Sequence, residues 1–271
     1  MCLILFAIDQ HRDFPLVLAA NRDEFHDRPT TPMHWWPDSD LLAGRDDRSG
    51  GTWLAISRAG VVSAVTNVRE GSAEPGRLTR GKLPLMVQQQ PRQEVQQYLA
   101  DNGNLYAGFN LIQVTPEQGW HSRHGWYSSY GWYYSNRDAH PGRNLHRGSY
   151  GVSNHLLQSP WPKLVRLREQ LRETLAQCNP DAPDALHRTL MTQLKDTTPA
   201  PDHLLPDTGI GLEQERFLSS PFIRSDLYGT RASTIITVGR DGEVRVTEQT
   251  WSRGGAPDNL QNFCWQVPGN G

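Results

Sequence analysis

The 271-residue chain carries 27 Lys and Arg against 29 Asp and Glu, a formal net charge of -2, which removes any global electrostatic reason to expect nucleic acid or an anionic membrane surface as partner. Hydrophobic residues make up 37% and mean hydropathy is -0.62, the balance of a folded protein with a core, and 9 Trp supply large apolar area for that core or a pocket. The longest apolar run is too short to span a bilayer, and Cys2, Cys178 and Cys264 show no C-x-x-C spacing, which argues against a disulfide framework, a zinc site or covalent haem attachment.

Residues 1–8 lack a basic leader and Asp9 interrupts the apolar run, so a cytoplasmic protein with one domain over 1–271 is expected. Residues 3–8 and 16–20 read as buried strands joined by a polar turn. The second strand is expected to end at Asn21-Arg22-Asp23-Glu24, a charged cluster that must be solvated or paired. Residues 26–47, rich in Pro, Asp, Thr and Trp without helical period, read as a long irregular excursion. A hairpin follows over 53–57 and 61–66, turning at Arg58-Ala59-Gly60.

Helical spacing runs over 78–100, with Pro91 dividing it into two helices. Strands are predicted at 107–114, within the aromatic stretch 119–134, and at 148–154. Residues 161–176 form an amphipathic helix with Leu164, Val165, Leu167, Leu171 and Leu175 on one side, and 183–194 a second helix. Residues 199–225 read as a loop or lid, and 233–238 with 244–247 as a closing hairpin around Asp241-Gly242. Strands at both ends with helices grouped between them predict an α+β fold, a four-layer α-β-β-α sandwich of antiparallel sheets.

A Cys behind the initiator Met is small enough for that Met to be excised, which would leave a thiol and an α-amine on one residue. An α-amine of reference pKa about 7.7–8.0 can act as base toward the adjacent thiol near neutral pH. Attack on an acyl carbon forms a thioester, and the oxyanion on the way needs N–H donors. Taken alone, Cys2 is a weak signal, since a Cys leading an apolar strand is more often a small buried hydrophobe. Asn67, Asn110 and Asn154 lie in or just after predicted strands, where an amide could serve as donor or make an Asx turn. Arg231 precedes the strand at 233–238, where it could orient a carboxylate or hold substrate. The stretch 76–82 has G-x-x-x-x-G-K spacing, but Leu83 stands where a Ser or Thr should follow and no strand leads into it, so it reads as a chance match.

Met1-Cys2-Leu3-Ile4, Leu18-Ala19-Ala20-Asn21-Arg22-Asp23-Glu24-Phe25, Leu42-Ala43-Gly44-Arg45-Asp46, Gly50-Gly51-Thr52-Trp53-Leu54, Ala64-Val65-Thr66-Asn67, Tyr150-Gly151-Val152-Ser153-Asn154 and Tyr228-Gly229-Thr230-Arg231-Ala232-Ser233-Thr234 together resemble the NRDE-motif family, which includes the transport and Golgi organisation protein 2 group. More remotely, their order resembles the choloylglycine hydrolase and penicillin acylase branch of the N-terminal-nucleophile hydrolases. That resemblance implies an α-β-β-α fold with Cys2 as nucleophile, Asn67 and Asn154 at the oxyanion, and Arg22 and Arg231 as the early and late arginines. Either Asp23 or Glu24 takes the acidic role, because Arg22 and Asp23 are adjacent here, whereas the acylase pattern separates its Arg and Asp.

Two activities follow from the resemblance. One is an amidohydrolase or acyltransferase acting on a small-molecule C–N or thioester bond and requiring no cofactor. The other is a carrier of an apolar ligand such as haem, lipid or acyl-CoA, with Trp35, Trp36, Trp126 and Trp132 around the ligand and His121, His124, His140 or His146 toward haem iron. A third reading is an interaction module on a fold that has lost activity.

Overall fold

The computed structural model describes residues 2–71, 76–115 and 131–268, with Cys2 described by its backbone alone. Strands β1 (Cys2–Ile8) and β2 (Leu16–Phe25) pair antiparallel, with Cys2 opposite Arg22 and Ile8 opposite Leu16. Both are apolar on two faces. Strand alternation sends Ile4, Phe6, Ile8, Leu16, Leu18 and Ala20 into a core between two sheets, while Leu3, Leu5, Ala7, Val17 and Ala19 pack on helices.

The first sheet has six strands, in the order β10 (Gly148–Val152), β1, β2, β11 (Tyr228–Val238), β12 (Glu243–Trp251) and β13 (Pro257–Gln266). The second has seven, running in order through β3 (Thr30–Trp35), β4 (Leu41–Asp46), β5 (Leu54–Ser57), β6 (Val62–Asn67), β7 (Phe109–Val114), β8 (Gly131–Ser135) and β9 (Arg143–Leu145). Every pairing is antiparallel. Helices α3 (Pro162–Gln177) and α4 (Pro183–Leu194) cover the outer face of the first sheet. Helices α1 (Leu83–Gln89) and α2 (Arg92–Asn102) cover the second. The predicted α-β-β-α order is present, and Pro91 does separate α1 from α2 by standing at the N-cap of the latter.

Several expectations are corrected. Strand β2 continues through Asn21 to Glu24, because those polar groups find partners between β1 and β11. Residues 26–47 hold β3 and β4; β3 is an edge strand with Met33 as its single buried residue, so its apolar signal is weak. Val165 is 45% exposed, since it lies about 100° around α3 from Leu164 and off the Leu164–Leu171 stripe. Residues 199–225 include a short helix, α5 (Leu212–Phe217). Strand β13, polar and mostly exposed, extends the closing hairpin into a third strand. Of the aromatic stretch 119–134, residues 119–130 lie outside the described residues. Among the described residues no helix is long and apolar enough to cross a membrane.

Candidate functional site

Strand alternation divides the charged cluster of β2 between two layers. Asn21 and Asp23 face the helices. The Asn21 amide donates to the carbonyls of Leu194 and Pro221, both at 2.9 Å, and its oxygen accepts from Ser233 Oγ at 2.6 Å. Asp23 is buried, accepts from Thr230 Oγ1 at 2.7 Å, and lies near the buried Lys163 of α3; burial pushes its carboxyl up. Arg22 and Glu24 face the other sheet. The Arg22 guanidinium lies 4.4 Å from the centroid of the Trp53 ring, and Glu24 Oε2 lies 3.9 Å from Arg22 Nη2 and 3.8 Å from Arg28 Nε.

These side chains border a cleft of about 130 Å³ lined by Arg22, Asp23, Glu24 and Asn67 together with Arg28, Asp46, Thr52, Trp53 and residues 79–81. Gly44 is required because the Trp53 ring fills the space of its missing side chain, and that ring supports Arg22. Gly50, at φ +69, turns the chain after Asp46, whose carboxylate accepts from Arg28 Nη2 at 2.7 Å and Ser49 Oγ at 2.7 Å. Burial opposes ionisation of Asp46, but these donors outweigh it and hold the carboxyl below its ordinary range. Gly51 meets Gly81 backbone to backbone, and Thr52 N donates to Gly81 O at 2.8 Å, which brings Thr79, Arg80 and Gly81 to the cleft. The segment 76–82 that sequence reading sets aside therefore supplies one wall.

Of the other candidates, Asn67 lines the cleft and its carbonyl accepts from Asn154 Nδ2 at 3.1 Å. Asn154 is buried, with its Oδ1 accepting from Ser153 Oγ and Arg69 Nη2. Asn110 serves the fold: its amide donates to Thr66 Oγ1 and His155 O, and its oxygen accepts from Tyr133 Oη at 2.7 Å. Arg231 sits at a bulge of β11, outside the residues lining the cleft, and donates to the carbonyls of Phe25 at 2.8 Å and Arg28 at 3.2 Å. Burial, then the neighbouring Arg22, lowers its pKa.

Sequence reading missed a set of buried charges behind the site. Lys163 Nζ donates to Leu218 O at 2.8 Å, and burial lowers its pKa to about 8 against the opposing pull of Asp23. Arg69 pairs with Glu215 of α5 and stacks 4.9 Å from the Trp161 ring centroid. Glu215 also accepts from Thr208 N at 3.0 Å. Lys163 interrupts the apolar start of α3, a faint sequence signal; Arg69 and Glu215 carry none, being 146 residues apart.

Among the described residues, those considered for haem do not converge. Trp35 and Trp36 border a shallow depression with Asp38, Asp40 and Arg58, whereas Trp132 is buried under α1 and α2. His140 and His146 are exposed, and His121, His124 and Trp126 lie outside the described residues. Among the described residues no three His, Cys, Asp or Glu side chains group as metal ligands.

Two face-to-face antiparallel sheets, helices outside both, and a polar cleft bordered by β2 beside the start of β1 define an α+β protein built as a four-layer α-β-β-α sandwich. The chain belongs to the Transport and Golgi organisation 2 family, whose family model matches residues 1–253. It is 32% identical over 269 residues to the Transport and Golgi organization 2 homolog of Mus musculus, covering 92% of this chain and 93% of that one. Identity to the Bos taurus homolog is 33% over 269 residues with the same coverage, and to the Drosophila melanogaster protein 27% over 272 residues, covering 92% of each. Among solved structures, the C2A mutant of conjugated bile acid hydrolase from Clostridium perfringens overlaps 98% of this chain and 92% of its own at 10% identity and a TM-score of 0.41, a likeness that carries no argument about the site.

Proposed function

We propose that this protein carries out acyl transfer at Cys2, as an amidohydrolase or acyltransferase acting on a C–N or thioester bond. The observation that carries the reading is the pairing of β1 with β2, which puts the Cys2 backbone opposite Arg22 at the strand end beside the cleft. After loss of Met1, the thiol sulfur attacks the acyl carbon and its proton passes to the α-amine. Collapse of the oxyanion breaks the C–N or C–S bond, with the proton returned to the leaving group. Water or a second acceptor then resolves the thioester.

In this reading Asn67, which lines the cleft, donates to the oxyanion, Asn154 stands behind it with its amide on the Asn67 carbonyl, Arg22 supplies positive charge, and Arg231 holds the turn that carries Arg28. Asp23 takes the acidic role, since it is buried and fixed by Thr230, while Glu24 is engaged with Arg22 and Arg28. An apolar part of the substrate has a place in the groove of about 640 Å³ that shares Glu24 and Asn67 with the cleft and is walled by Phe25, Phe217, Leu227 and Tyr228.

Treatment with an activated ester tests the reading, after intact mass has established that Met1 is absent. Wild-type protein should gain one acyl group and Cys2→Ala none. A processed wild type that takes up no label would sink it.

A further inference from the structure

Strand β12 sends Val244 and Val246 into the core between the sheets, and the next residue of that face is Glu248, with 0% exposure. A carboxyl there is costly unless it has a task. Its Oε1 accepts the N–H of Met33 at 2.6 Å, in the stretch where β3 slips its register against β4 between Thr31 and His34. Its Oε2 has no hydrogen-bond partner among the described residues, and neither has Nη1 of Arg22, which is itself 5% exposed. Two buried groups of opposite sign, each with one polar atom left without a hydrogen bond and each within the other's field, point to a functional pair.

We propose that Glu248 is the positioning residue for Arg22, an inner carboxylate that draws the guanidinium over Trp53 against the outer pull of Glu24. Among the described residues facing Glu248, Arg22 from β2 is the charged one; Thr234 from β11 and the Met33 N–H from β3 are neutral, as is Gln261, opposite it in register on β13. Burial pushes the Glu248 carboxyl up to about 7, so it changes charge near neutrality. When ionised, it balances Arg22. When Oε2 takes up a proton, Arg22 keeps Glu24 alone, and the new O–H has a candidate acceptor in Gln261 Oε1, which also lacks a partner. Arg22 would then shift toward the cleft on the acid side of neutrality.

The inference concerns the setting of Arg22 in the proposed site and is read without substrate, so failure of the Cys2 chemistry would leave it standing. The test follows the Glu248 carboxyl carbon and the Arg22 Nε–H by NMR in the full chain across neutral pH. In wild type both signals should move with one midpoint near 7. In Glu248→Gln the Arg22 signal should stop moving in that range, and in Arg22→Met the Glu248 midpoint should rise. An Arg22 signal that stays flat while Glu248 titrates overturns the proposal, as does a Glu248 midpoint indifferent to Arg22→Met. Should either variant fail to fold, the wild-type comparison alone decides.

Discussion

Gly44 and Trp53 share one volume: a Cβ on Gly44 would stand 2.2 Å from Cη2 of the Trp53 ring, whose face supports Arg22 at 4.4 Å. Gly44→Ala should therefore displace the indole and, through it, the guanidinium. Overpacking of this kind costs about 1–3 kcal/mol, to be measured by urea unfolding. In a double-mutant cycle with Trp53→Leu, the cost of Gly44→Ala should largely vanish. Additivity would show that the two residues do not compete for space.

The Arg69–Glu215 pair is buried on both sides, so removing one partner strands a charge. Glu215→Ala should destabilise by about 3–5 kcal/mol, whereas Arg69→Met combined with Glu215→Leu should cost much less. Amide hydrogen exchange should also quicken across α5 in the single variant, since Glu215 is its inward anchor.

Two buried groups give the stability–pH curve opposite slopes. Burial lowers His187 to about 4 from 6.5, so the unfolded chain takes up a proton that the folded one refuses. Stability should fall as pH drops from 6.5 toward 4, by roughly 3 kcal/mol at most from this group. Glu248 is raised to about 7 from 4.5, so here the folded chain keeps the proton and stability should fall as pH rises through that window. His187→Gln should flatten the acid limb, and Glu248→Gln the opposing one. Thermal unfolding at a series of pH values checks both signs.

Burial raises the thiol pKa values of both Cys178 and Cys264, so neither is activated at neutral pH, although Cys264 is exposed. If Cys2 is the nucleophile of a processed chain, limited alkylation followed by peptide mapping should mark it at least about tenfold faster than the other two. Equal rates would speak against an activated Cys2.

Much of the fold is legible along the chain because its central strands and covering helices are apolar in regular periods. The strand 3–8, the helix 183–194 and the Pro91 break are of this kind. The edge strands β3, β9 and β13 are half wet, and their polar residues look like loop in one dimension. The same limit hides Glu248 and Glu215, whose burial depends on partners far off in the chain.

By itself, the sequence determined the family motifs, the layered α+β class and the set Cys2, Arg22, Asp23, Asn67, Asn154 and Arg231 as residues to examine. Tertiary structure decided what each can touch. Continuation of β2 through the charged cluster turned Asp23 toward Lys163 and Arg22 toward Trp53, assigned Asn110 to the core, and moved Arg231 to the support of a turn. The physical reason is that alternation along a strand is a local property, whereas the partner waiting on either face is brought there by the fold, from as far along the chain as Thr230 is from Asp23.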